Sequence, residues 1–71
     1  MNERLLNGYW FRPVGDGDVE IHTRILGKRT LLKTINIKAE TQKEFDSEIS
    51  WWLMENAAEL QSLADEAGNL P

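Results

Sequence analysis

The chain reads as α+β: a three-stranded antiparallel β-meander packed against one long C-terminal α-helix. Three observations lead there. Val19 to Ile25 alternates apolar and polar side chains, as a strand with one buried face does. Glycine-bearing turns at Gly15-Asp16-Gly17-Asp18 and at Gly27 punctuate the first half. Thr41 to Ala67 repeats apolar residues at helical spacing, and no other stretch has enough periodic apolar surface to cover a sheet.

With 71 residues the chain makes one small domain. Such a chain buries only about 60% of the surface its unfolded form exposes. Its core alone supplies ~3–5 kcal/mol. There is no cysteine to add a disulfide or a zinc-thiolate site, so self-association or a partner is the remaining source of stability. Apolar content of 41% and charged content of 28% are ordinary for a globular domain. No apolar run approaches the length of a membrane span. The start, MNERLLN, has neither the basic region nor the apolar stretch of a signal peptide, so a cytoplasmic location is expected.

The elements follow in order. Residues 1–7 say little: Leu5 and Leu6 either extend the first strand or pack as a short arm. The first strand, at about 9–14, is rich in aromatics, and Pro13 makes it an edge. The second covers about 19–26 and the third about 30–38. In the first hairpin, Phe11 is set opposite Ile21, Trp10 opposite His22, and Arg12 opposite Glu20. In the second, a three-residue loop, Gly27-Lys28-Arg29, sets Ile25 opposite Leu31, Ile21 opposite Ile35 and Val19 opposite Ile37. One face then carries Tyr9, Phe11, Val19, Ile21, Ile25, Leu31, Ile35 and Ile37 as the core. Lys33 shares that parity and must snorkel or lie at the sheet edge.

The helix, at about 42–67, opens with a capping box, Thr41-Gln42-Lys43-Glu44. Gly68 is its expected C-cap, with Pro71 close behind. Phe45, Ile49, Trp52, Leu53, Leu60, Leu63, Ala64 and Ala67 share a core-facing stripe that Asn56 interrupts. Trp51, Met54 and Ala58 fall on the opposite side, more apolar surface than a solvated helix back usually shows. The bland account is that the N-terminal arm covers them; the sharper one is an intermolecular contact. A helix of ~26 residues spans ~39 Å, whereas strands of about eight residues span roughly 27 Å. Leu60 and Leu63 are therefore expected to overhang the sheet and meet a second copy, unless the helix breaks near Asn56 and folds back.

Chemistry is sparse. His22 is the single histidine, and no nucleophile is expected beside it, so it reads as a surface strand residue. Asp16-Gly17-Asp18-Val19-Glu20 starts like an EF-hand loop, but Ile21 stands where the sixth-position glycine belongs. The glycines precede strands and make no phosphate loop. No cofactor and no metal are expected, and the chain is read as non-enzymatic.

Charge is divided unevenly. Residues 1–38 hold seven Lys/Arg against four acids, a balance of +3, and residues 39–71 hold one against eight, a balance of −7. The sheet's outer face gathers Trp10, Arg12, His22, Arg24 and Lys38, a candidate nucleic-acid platform in which basic groups engage phosphates and an aromatic stacks on a base. In outline, these three strands and a helix resemble the small arm-binding domains at the N-terminus of phage-type integrases. That resemblance implies a sheet inserted into the DNA major groove. The overall pI near 4.8 disfavours it, since a free DNA-binding domain is usually strongly basic.

The expected function is that of a small interaction protein, of the regulator or inhibitor type that phages and mobile elements encode. It would dock on a protein partner or self-associate through Trp51, Met54, Ala58, Leu60 and Leu63. Nucleic-acid binding by the basic sheet face is the alternative.

Overall fold

A computed structural model describes residues 1–69. The chain forms β1 (Arg4–Leu6), β2 (Tyr9–Gly15), β3 (Asp18–Ile25), β4 (Lys28–Asn36) and α1 (Gln42–Gly68). The architecture is α+β as expected, but the antiparallel sheet has four strands in the order β1-β2-β3-β4, not three. The added strand is the stretch containing Leu5 and Leu6. Asn7 and Gly8 both take positive φ, 49° and 85°, as the two-residue turns that suit twisted hairpins require. They fold β1 back so that Leu5 pairs with Trp10 and Leu6 with Tyr9. β1 stops at Arg4, opposite Phe11, so Pro13 lies beyond the covered part of β2 and blocks no ladder there.

The β2–β3 register follows the expected pairing: Trp10 faces His22, Phe11 faces Ile21 and Arg12 faces Glu20. The β3–β4 register does not. The turn is Leu26-Gly27, at φ 50° and 82°, so Ile25 pairs with Lys28 and His22 with Leu31. A bulge between Ile21 and His22 then takes up one residue, and Lys33 and Ile35 face Ile21 and Val19. Leu31 and Leu32 thereby exchange their expected places. Leu31 is exposed on the outer face, and Leu32 packs against the core. Lys33 keeps its core-side parity at the open edge of the sheet. There its ammonium lies 6.0 Å from the Trp52 ring and pairs with Glu59.

The core between sheet and helix consists of Phe11, Val19, Ile21, Ile37, Phe45, Ile49, Leu53 and Leu60. Trp52 packs on it edge-to-face, its ring 6.4 Å from that of Phe11. The helix starts as its capping box implies: the Thr41 hydroxyl accepts from the Glu44 N–H at 3.1 Å. It ends at Gly68, and Asn69 is the cap residue, its N–H donating to the Asp65 carbonyl at 3.1 Å. Gly68 is thus the last helical residue, not the expected left-handed cap. Pro71 lies outside the described residues.

The helix is kinked at Asn56, whose φ of −121° and ψ of 16° are not helical. The Asn56 amide donates back to the Trp52 carbonyl at 2.8 Å, satisfying an acceptor close to the break. Beyond the kink the chain turns onto the sheet instead of overhanging it. Leu60 is 0% exposed, Leu63 packs on the core, and a Cβ at Gly68 would stand 3.8 Å from the Ile25 side chain. Leu60 and Leu63, expected in an intermolecular contact, are therefore held by this chain's own core.

Candidate functional site

Two surfaces remain uncovered: the outer side of α1 and the outer face of the sheet.

On the helix, Trp51 is 59% exposed and Met54 69%, and Ala58 is exposed beside them. The N-terminal arm does not cover them: its Leu6 only lines a groove beside Met54, and Leu5 is exposed on the sheet. β1 lies in the sheet, and its lead-in is tied to the first turns of α1. The Asn2 N–H donates to Gln42 Oε1 at 2.6 Å, and Arg4 Nε donates to Asp46 Oδ1 at 3.0 Å. That pairing holds the Asp46 carboxyl below the ordinary aspartate range: the hydrogen bond from Arg4 is the largest cause, with a second from Gln42. Shallow grooves flank Met54. One is lined by Lys43, Ser47, Ser50 and Trp51, and the other by Leu6, Leu53 and Ala57. Met54 thus forms a ridge between two depressions, with Trp51 one turn before it.

The acids of this patch without an ion pair lie on one side of it, and Lys43 lies on the other. At 100° per residue, Glu44, Glu48 and Glu55 fall on the flank next to Trp51, and the small Ser50 and Ala57 fall on the other. Among the described residues the ion pairs of the helix acids use Asp46, with Arg4, and Glu59, with Lys33. Glu48 and Glu55 have no such partner there.

The sheet's outer face carries Leu5, Trp10, His22 and Leu31 as one transverse row. Arg12 and Glu20 are paired across strands next to it. Of the expected nucleic-acid residues, Trp10, Arg12, His22 and Arg24 do share this face. Lys38 does not. β4 ends at Asn36, and the following Ile37 N–H donates to the Gly17 carbonyl at 2.7 Å, at the far end of β3 from Arg24. The sheet supplies a cation in its place. Arg29, beside Arg24 across the β3–β4 ladder, lays its guanidinium 4.6 Å from the Trp10 ring centroid and pairs with Glu3. Arg24 lies 5.9 Å from the same ring. The Arg29 hydrogen bond is also the largest cause that keeps the Glu3 carboxyl below the ordinary glutamate range. Trp10 is therefore half-buried beneath a guanidinium that carries its own counter-ion, and it is not an open stacking platform.

His22 is set against Glu20, Nε2 to Oε1 at 3.0 Å, with Trp10 and Leu31 as its cross-strand neighbours. No nucleophile stands in that group. A cleft of about 220 Å³ at the β2–β3 turn is floored by Pro13, Val19, Ile37 and Phe45. Asp16 and Asp18 edge it, but the Asn36 amide binds the Asp16 carbonyl at 3.2 Å and the Asp18 carboxylate at 3.1 Å. Their role there is to hold the turn. Among the described residues no group of three or more His, Cys, Asp or Glu is arranged to hold a metal ion. None of their helices is long and apolar enough to cross a membrane.

Arg29, expected near the basic face with Lys28, and Leu26, expected on the outer face at the end of a strand, both take places that the expected register does not give. Arg29 was placed in a loop, so its reach across the sheet depends on the true register. Leu26 is 84% exposed at a turn tip, a position that an expected strand end concealed. No protein-family model, no curated protein and no solved structure matches this chain.

Proposed function

We propose that this chain is a non-enzymatic interaction protein of the regulator or inhibitor type. It binds another protein through the outer side of α1, around Trp51 and Met54. The observation that carries the reading is the joint exposure of these two side chains, 59% and 69%, one turn apart and left uncovered by β1. Large apolar groups left together on the surface of a small domain are characteristic of a contact site. Trp is also the residue type most often found to dominate an interface.

The test uses wild type and Trp51→Glu side by side, with circular dichroism to show that both are folded. Crosslinking in the native host and sedimentation should reveal a partner or a self-associated state that Trp51→Glu loses. If the oligomeric state and every crosslinked protein are the same for both, the reading fails.

A second reading rests on a separate observation: among the described residues no element covers the sheet's outer face, where Arg12, Arg24 and Arg29 lie together. A titration with single-stranded and duplex DNA at about 50 mM salt, where phosphate contacts are strong, tests it. Arg12→Ala plus Arg24→Ala should abolish binding by this face, and no binding by wild type sinks the idea.

A further inference from the structure

Resting on the helix-face reading above, we infer that the occupant of this face is a basic amphipathic helix of another protein. Its cationic flank lies along Glu48 and Glu55. Three features of the site point there.

The first is the step of the apolar residues. Trp51 and Met54 stand at i and i+3, the step of a helix–helix seam, with the exposed Ala58 just past the Asn56 bend. The second is asymmetry. Ser50 and Ala57 on one side are small enough for a second backbone to approach, and grooves on both sides of Met54 accept side chains. The third is charge. Glu48 and Glu55 border the seam and have no ion-pair partner among the described residues, while Asp46 and Glu59 are already engaged by Arg4 and Lys33. A partner with Lys or Arg on the matching flank gains complementarity that a neutral or acidic one lacks.

The same charges disfavour a second copy. In an antiparallel self-pairing the glutamate flank meets itself. In a parallel one only Lys43 answers it. The seam also bends away at Asn56, so the contact is short. It relies on a few anchors and on charge, not on area, against the ~800 Å² per partner of a standard interface.

The experiment uses the full chain and a designed helical peptide of about 18 residues with Leu at seam positions and Lys on both flanks. A second peptide carries Glu at every Lys. Binding is followed by anisotropy of a label on the peptide and by amide shift changes mapped along α1. The Lys peptide should bind, with shifts centred on residues 47–58. Trp51→Ala should weaken it about 30-fold, as loss of an interface anchor does. Glu48→Lys plus Glu55→Lys should weaken it about tenfold and make the Glu peptide the better ligand.

Equal binding of both peptides by wild type, dependent on Trp51, would leave the docking face standing and overturn the charge selection. Concentration-dependent dimers that Trp51→Glu abolishes, with no peptide bound, would make a second copy the occupant and overturn this inference alone. Failure of both peptides with no self-association, or binding indifferent to Trp51, would overturn this inference; the helix-face reading falls with it only if the crosslinked proteins are also the same for wild type and Trp51→Glu.

Discussion

Leu26 should be the easiest place to stabilise this protein. It holds φ at 50° in a two-residue turn, directly before Gly27 at 82°. A residue with a Cβ pays roughly 1–2 kcal/mol for that left-handed backbone. Asparagine tolerates the region far better and is favoured at this turn position. Little is lost in exchange. Leu26 is 84% exposed, so about one-sixth of its side chain is covered. At ~1.5–3 kcal/mol for full burial, that fraction is worth about 0.3–0.5 kcal/mol. Leu26→Asn should therefore stabilise the fold by about 1 kcal/mol, raising Tm by roughly 4–8 °C for a domain of this size. Leu26→Gly relieves the same strain but gains unfolded-state entropy, about 0.5–1 kcal/mol the other way, and should be nearly neutral. Leu26→Val should destabilise, because a β-branched side chain fits positive φ worst. Calorimetry and urea unfolding at constant m-value read all three. If Leu26→Asn melts at or below wild type, either the turn is not left-handed at this residue or Leu26 packs against something, and the reasoning fails.

Three further outcomes are expected. Asn56→Ala removes the bond to the Trp52 carbonyl and favours a straight helix, lifting Leu60 off the sheet; a loss of about 1–3 kcal/mol is expected, with hydrogen exchange fastest in residues 59–67. Gly17→Ala should cost at least about 1 kcal/mol, since φ is 83° and the new Cβ would stand 3.0 Å from the Asn36 amide and 3.1 Å from the Ile37 carbonyl; urea unfolding checks it. Glu3 and Asp46 have depressed pKa values, so the folded state binds fewer protons than the unfolded one in the acid range. Their contribution is present above the ordinary carboxylate range and is lost as pH falls through the lowered values. It should be small, because both pairs are solvent-exposed. Carboxyl-carbon NMR titration should show both groups titrating low, and Arg29→Ala should return Glu3 upward without moving Asp46.

The amphipathic period of α1 named Phe45, Ile49, Leu53 and Leu60 as inward residues and Trp51 and Met54 as outward ones. The structure buries the first four and exposes the last two. The alternation of Val19 to Ile25 likewise set the inner face of β3, and matching Phe11 to Ile21 gave the first register, with Arg12 opposite Glu20 as its consequence. These are local patterns, in which one periodicity dictates one face. The fourth strand was legible too: Asn7-Gly8 between apolar residues is among the strongest hairpin signals a sequence can carry. β1 itself is only three residues long and has no alternation that would mark it as a strand.

What the sequence determined by itself is the faces of β2, β3 and α1 up to Asn56, because a side chain's side of an unbroken strand or helix depends only on its spacing from its neighbours. What only the tertiary structure decided is the register of β4 and the course of α1 beyond Asn56. The two-residue Leu26-Gly27 turn faces Leu31 outward and stations Arg29 over Trp10, and the bulge that follows takes up Leu32 and sets Lys33 and Ile35 opposite Ile21 and Val19. A kink is taken where burying Leu60 outweighs a few helical hydrogen bonds. Both are set by competition between distant contacts, and no local pattern records the outcome of that competition. The same competition left Trp51 and Met54 largely exposed among the described residues.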